Sequence, residues 1–91
     1  MASQIPTMAL SMAQAKAVAQ KLGVDLPKKD NGYRKSSPFT LRRLPLAFRK
    51  AKKNAPAYRL SATTAKELEP FLSVAGEHGR SVCIIYKNEE N

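Results

Sequence analysis

Ser11-Met12-Ala13-Gln14-Ala15-Lys16-Ala17-Val18-Ala19-Gln20-Lys21-Leu22-Gly23 is a helix with both ends written into it. Ser11 and Gln14 have the spacing of a capping box, in which each side chain satisfies an orphan amide of the first turn. Met12, Ala15, Val18, Ala19 and Leu22 recur at three and four residues and make one apolar stripe. Gln14, Lys16, Gln20 and Lys21 fall mostly on the other side. Gly23 stands where a left-handed terminal residue is wanted, with Val24 as the hydrophobic contact beyond it.

The same grammar recurs later. Thr64 and Glu67 form a second capping box, and Leu68, Phe71, Leu72 and Ala75 make a stripe that runs to Gly76. Pro70 lies inside this helix and is expected to bend it. Apolar runs at Thr7–Leu10 and Ala57–Ser61 precede the two helices and read as strands. Leu10-Ser11 and Leu60-Ser61 are fifty residues apart, and at that offset Ala15-Lys16 matches Ala65-Lys66 and Leu22 matches Leu72. Shared capping rules explain such an echo. A duplicated unit also explains it, and would complete a split β-α-β pair of the ferredoxin-like kind.

Val82–Tyr86 is the clearest strand, rich in β-branched and aromatic residues. Both of its faces are apolar, which predicts a central strand with Cys83 as a small core hydrophobe. Asn88–Asn91 reads as a tail. Pro27–Ser37 reads as a loop, flexible and basic over Lys28–Ser37, with turn chemistry at Asp30-Asn31-Gly32. Ser37-Pro38 resembles a cap and first helical position, which predicts a turn over Pro38–Leu44. A basic helix follows over Pro45–Lys53, stopped by Asn54 and Pro56. A rival reading takes Phe39–Leu44 as a strand, because Phe39, Leu41 and Arg43 alternate with Thr40 and Arg42.

The expected fold is a small single α+β domain over residues 1–91. An approximately three-stranded, mainly antiparallel sheet (Thr7–Leu10, Ala57–Ser61, Ser81–Lys87) is packed by two amphipathic helices, with the basic helix at its edge. The ferredoxin-like split β-α-β fold is the alternative.

Charge carries the functional signal. The chain holds 16 basic and seven acidic residues, a net charge of +9. Ten of the bases and one acid, Asp30, lie between Lys28 and Lys53, so that segment carries the whole net charge and the rest of the chain is neutral. A soluble surface mixes its signs; a segregated cationic field attracts polyanions. The candidate nucleic-acid-binding residues are Arg34, Lys35, Arg42, Arg43, Arg49, Lys50, Lys52 and Lys53, with Tyr33 placed to stack on an unpaired base. Phe39 reads first as a core anchor.

Catalysis finds no pattern. There is one cysteine and one histidine, no phosphate-cradling glycine loop and no triad. Glu67 and Glu69 point to different sides of their helix, and His78 follows a helix end, where it complements the dipole. No enzyme activity, cofactor or metal is expected. No run approaches the ~20 apolar residues of a membrane helix, the N-terminus lacks a secretory pattern, and the single Cys83 suits a reducing, cytoplasmic compartment. The expected function is non-enzymatic nucleic-acid binding, to DNA or RNA. The alternative is a small regulator or inhibitor docking its basic face on an acidic protein or in a nucleic-acid channel, by analogy of size and charge with small phage proteins. A third option is a structural component of a ribonucleoprotein.

Overall fold

A computed structural model of the chain describes residues 4–45, 56–79 and 81–88. Among these residues, five strands and two helices follow in the order β1 (Gln4–Leu10), α1 (Met12–Leu22), β2 (Tyr33–Ser36), β3 (Phe39–Arg43), β4 (Tyr58–Ser61), α2 (Ala65–Gly76) and β5 (Ile84–Asn88). The strands form one antiparallel sheet in the order β2-β3-β4-β1-β5. This is an α+β domain. α2 links β4 and β5, which run in the same direction with antiparallel β1 between them; α1 and the short β2 after it lead from β1 to β3, which also run in the same direction, with antiparallel β4 between them. Without β2, the order is that of two interleaved split β-α-β units.

Both helices have the ends that their sequences dictate. Ser11 Oγ accepts from Gln14 N at 3.3 Å and Gln14 Oε1 accepts from Ser11 N at 2.9 Å. Gly23 closes α1 at φ 74°, with Gly23 N on Gln20 O and Val24 N on Ala19 O, the paired bonds of a Schellman motif. Glu67 Oε1 accepts from Thr64 N at 2.8 Å. The two caps lie 53 residues apart, whereas the strand residues Leu10 and Leu60 lie fifty apart. Three extra residues therefore precede α2. The matched Ala15-Lys16 and Ala65-Lys66 occupy different turns of their helices, so the echo beyond the strands is not a structural correspondence.

The core lies between the helix layer and one sheet face. Met8, Leu10, Leu41, Tyr58 and Leu60 are buried against Ala15, Val18, Ala19, Leu68, Phe71 and Ala75. Phe39 anchors here too, edge-on to Phe71 with ring centroids 5.0 Å apart. Full burial of each large apolar side chain contributes about 1.5–3 kcal/mol. Pro6 is accommodated inside β1 because pairing with β4 starts only at Thr7; the vacant donor position faces the side where β4 has ended. Among the described residues no helix is long and apolar enough to cross a membrane.

Five strands replace the expected three, and the two additions come from the segment between Pro27 and Leu44. Tyr33–Ser36, read as loop, pairs with Phe39–Arg43, read as a turn; the alternating rival reading of the latter is the correct one. Ser37-Pro38, joined by a cis peptide bond, forms the two-residue turn between them rather than the start of a helix. The strand at the C-terminal side begins at Ile84 and includes Asn88, which pairs with Gln4. It lies at the sheet edge, not its centre. Only one side of it is covered: Ile84 packs against the core, whereas Ile85, Tyr86 and Cys83 are exposed. The basic helix expected over Pro45–Lys53 lies, from residue 46 onward, outside the described residues, as does the tail from Glu89.

Gln14 locks the helix layer. It is fully buried, and besides capping α1 its Nε2 donates to Ala75 O in α2 at 3.1 Å. Gly79, at φ 155°, passes over this amide where a Cβ would meet Nε2 at 3.4 Å. Gln14→Ala leaves Ser11 N and Ala75 O without these partners. It is expected to lower the unfolding free energy by about 2–3 kcal/mol, measured by urea titration. A loss below about 0.5 kcal/mol would contradict the assigned role.

Candidate nucleic-acid interface

Alternation along the strands sorts every sheet residue onto one of two faces. Leu41, Tyr58, Leu60, Met8 and Leu10 face the helices. Their neighbours Thr40, Arg42, Arg59, Ser61, Thr7 and Ala9 are therefore committed to the other face, which no described helix covers. The register aligns these residues across strands. Tyr33 pairs with Arg42, Arg42 with Arg59, and Arg59 with Ala9, which makes one row over four strands. Lys35, Thr40, Ser61, Thr7 and Ile85 make the next row. With roughly 4.8 Å between neighbouring strands, the first row spans about 14 Å.

The charge of the strands is one-sided. None of the five strands contains an acidic residue, and together they carry Arg34, Lys35, Arg42, Arg43, Arg59 and Lys87. The acids among the described residues sit elsewhere: Asp25 and Asp30 between α1 and β2, Glu67 and Glu69 in α2, and Glu77 just after it. Tyr33 is 61% exposed on the edge strand, and Ile85 is 37% exposed near the opposite edge. Arg42 is oriented by a 2.7 Å hydrogen bond from its Nη2 to Asn31 Oδ1. Asn31 holds that position from a turn in which its own φ is 63°. Arg59 lies directly across from Arg42 and is half-buried. Burial and, secondarily, the Arg42 charge push the Arg59 guanidinium below its ordinary pKa. It nonetheless stays charged, so the two arginines form a persistent cationic pair.

The structure separates the residues that the sequence groups together. Tyr33, Lys35 and Arg42 share the open face. Arg34 and Arg43 take the helix side. Arg34 Nη1 donates to the Tyr33 carbonyl, and the residue lines an open cleft of about 780 Å³ with Lys16, Asp25, Lys28, Arg43 and Tyr58. Arg43 is an internal brace. It donates to Pro27 O at 3.5 Å, lies 3.9 Å from Asp30 Oδ1, and stacks over Tyr58 with its guanidinium carbon 5.9 Å from the ring centre. Tyr58 OH donates to the same Pro27 carbonyl. Arg49, Lys50, Lys52 and Lys53 lie outside the described residues. The described chain stops at Pro45 and resumes at Pro56, and Leu44 N donates to Ala57 O at 2.9 Å, two positions beyond the paired Arg42 and Arg59.

Arg59 is the residue that charge counting misses. It lies outside the basic segment, in a tetrapeptide that alternates buried and half-buried positions, Tyr58-Arg59-Leu60-Ser61. The available signal was the alternation itself: burying Tyr58 and Leu60 places Arg59 on the other face. Among the described residues no three His, Cys, Asp or Glu side chains gather into a metal-binding group. No family model, curated protein or solved structure matches the chain.

Two substitutions separate the roles. Like charges directly opposed across strands destabilise a sheet by about 0.2–1 kcal/mol. Arg59→Thr is therefore expected to raise the urea midpoint at low ionic strength, with the gain shrinking as salt screens the pair. Arg43→Ala is expected to cost about 1–2 kcal/mol at any salt concentration, from lost hydrogen bonding and cation–π contact. A stability loss for Arg59→Thr at low salt would show that its packing outweighs the repulsion.

Proposed function

We propose that the protein is a small, non-enzymatic nucleic-acid-binding module that uses the sheet face left open by the described helices, together with the basic residues between β3 and β4, to hold a phosphate backbone. One observation carries this reading: no strand residue is acidic, while Tyr33, Lys35, Arg42 and Arg59 share the face that no described helix covers. Maintaining Arg42 opposite Arg59 opposes folding. A polyanion relieves that repulsion, so the strained pair favours the bound state.

Binding is driven by release of condensed counterions and is independent of sequence. Arginine's fork suits bidentate contact with phosphate oxygens. Lys35, Arg42 and Arg59 act with the Arg49, Lys50, Lys52 and Lys53 side chains, for roughly 4–6 simultaneous phosphate contacts. The log–log salt slope is then about −3 to −4 on a single strand and about −4 to −5 on duplex DNA.

Fluorescence anisotropy with labelled oligonucleotides over a salt series tests the proposal. The Lys35→Ala/Arg42→Ala/Arg59→Ala variant should bind more weakly and flatten the single-strand slope by about 2, since each lost contact removes about 0.7. Unchanged slopes would remove the sheet face from the interface. Absence of binding at low salt would overturn the reading and direct attention to an acidic protein partner.

A further inference from the structure

We propose that the ligand of this face is single-stranded nucleic acid lying across the strands, with an unpaired base stacked on Tyr33 and its phosphates on Arg42 and Arg59. The inference rests on the function proposed above and specifies its substrate.

Width argues against a duplex. The major groove of DNA is about 12 Å wide and admits a helix or a two-stranded ribbon. Five strands span about 19 Å, from four inter-strand steps of roughly 4.8 Å, and β3 is paired on both sides, so no two-stranded ribbon stands free. The sheet edge argues for bases. Tyr33, 61% exposed as a residue, stands in the same row as two arginines. Phosphates alone do not need an aromatic there. A base does, and bases in a duplex are already stacked on one another, so only an unpaired base offers its face. The row runs from aromatic to cationic to apolar: beyond Arg59 come Ala9 and a shallow depression of about 210 Å³ shared with Cys83 and Ile85. That order matches a nucleotide chain with its base on Tyr33, its phosphates over the arginine pair, and its next base toward Ile85. The route crosses the strands rather than following one, because the register places these groups side by side.

The test compares five labelled ligands of one length with the full chain: single-stranded DNA, single-stranded RNA, duplex DNA, duplex RNA and an abasic single strand. Wild type should bind at least one of the two base-bearing single strands about tenfold or more tighter than the duplexes and the abasic strand. The DNA and RNA arms show which sugar is preferred. Tyr33→Ala should weaken single-strand binding by about 5- to 150-fold, the loss expected for one base–aromatic stack, and leave abasic binding within twofold. Tyr33→Phe should restore single-strand binding, which excludes misfolding as the cause. The chain has no tryptophan, so Tyr33→Trp supplies a single tryptophan, whose selectively excited fluorescence should be quenched by the base-bearing strands and not by the abasic one. Equal affinity for all five ligands, or a Tyr33→Ala effect equal on abasic and base-bearing strands, would overturn the inference while leaving phosphate binding intact. Failure to bind any of the five would overturn the proposed function as well.

Discussion

The alternation of β4 is the constraint on which the rest of the structure depends. Tyr58 and Leu60 are completely enclosed, and both must face the helices for the core to close. A strand has only two faces, so Arg59 between them has no freedom in the matter. Antiparallel register then sets it against Arg42, whose own direction is forced by burial of Leu41. Two arginines are thus held at paired positions by the hydrophobic effect acting on their neighbours. The core terms, at about 1.5–3 kcal/mol per large side chain, outweigh a cross-strand repulsion of less than about 1 kcal/mol.

Charge is sorted by layer as a result. Every described acid belongs to the helix layer or its connections. There Asp30 meets Arg43, and Glu67 caps α2. The sheet keeps only positive charge. The helix layer is in turn joined by Gln14, whose buried amide ties the start of α1 to the end of α2. That brace leaves the opposite sheet face with no structural duty from the described helices, and the exposed Tyr33 and Ile85 are found there.

Much of this was legible residue by residue. The capping boxes, Gly23 and the strands before each helix follow from local rules; the apolar stripe of α1 departs from its reading at the first turn, where Met12 is exposed and Gln14, read onto the polar side, is fully buried against α2. The β2–β3 hairpin was obscured by its turn. Ser37-Pro38 serves equally as a helix start, and Tyr33–Ser36 is too short and polar to announce a strand. Such a strand forms because β3 offers it an open edge, which is information outside its own four residues. The C-terminal strand was misplaced for a related reason. Two apolar faces describe a central strand and an exposed edge equally well, and only the sheet order distinguishes them.

The candidate site divides along the same line. Composition alone established that the chain is strongly basic and that its charge is concentrated between Lys28 and Lys53, because charge is a property of residues and needs no geometry. Periodicity alone established two capped helices, because their hydrogen bonds close within a few residues. The tertiary structure decided which bases share a face. It moved Arg34 and Arg43 to the helix side, kept Lys35 and Arg42 on the open one, and brought in Arg59 from outside the basic segment. Those assignments depend on strand register, a relation between positions far apart in the chain, which no window of sequence contains.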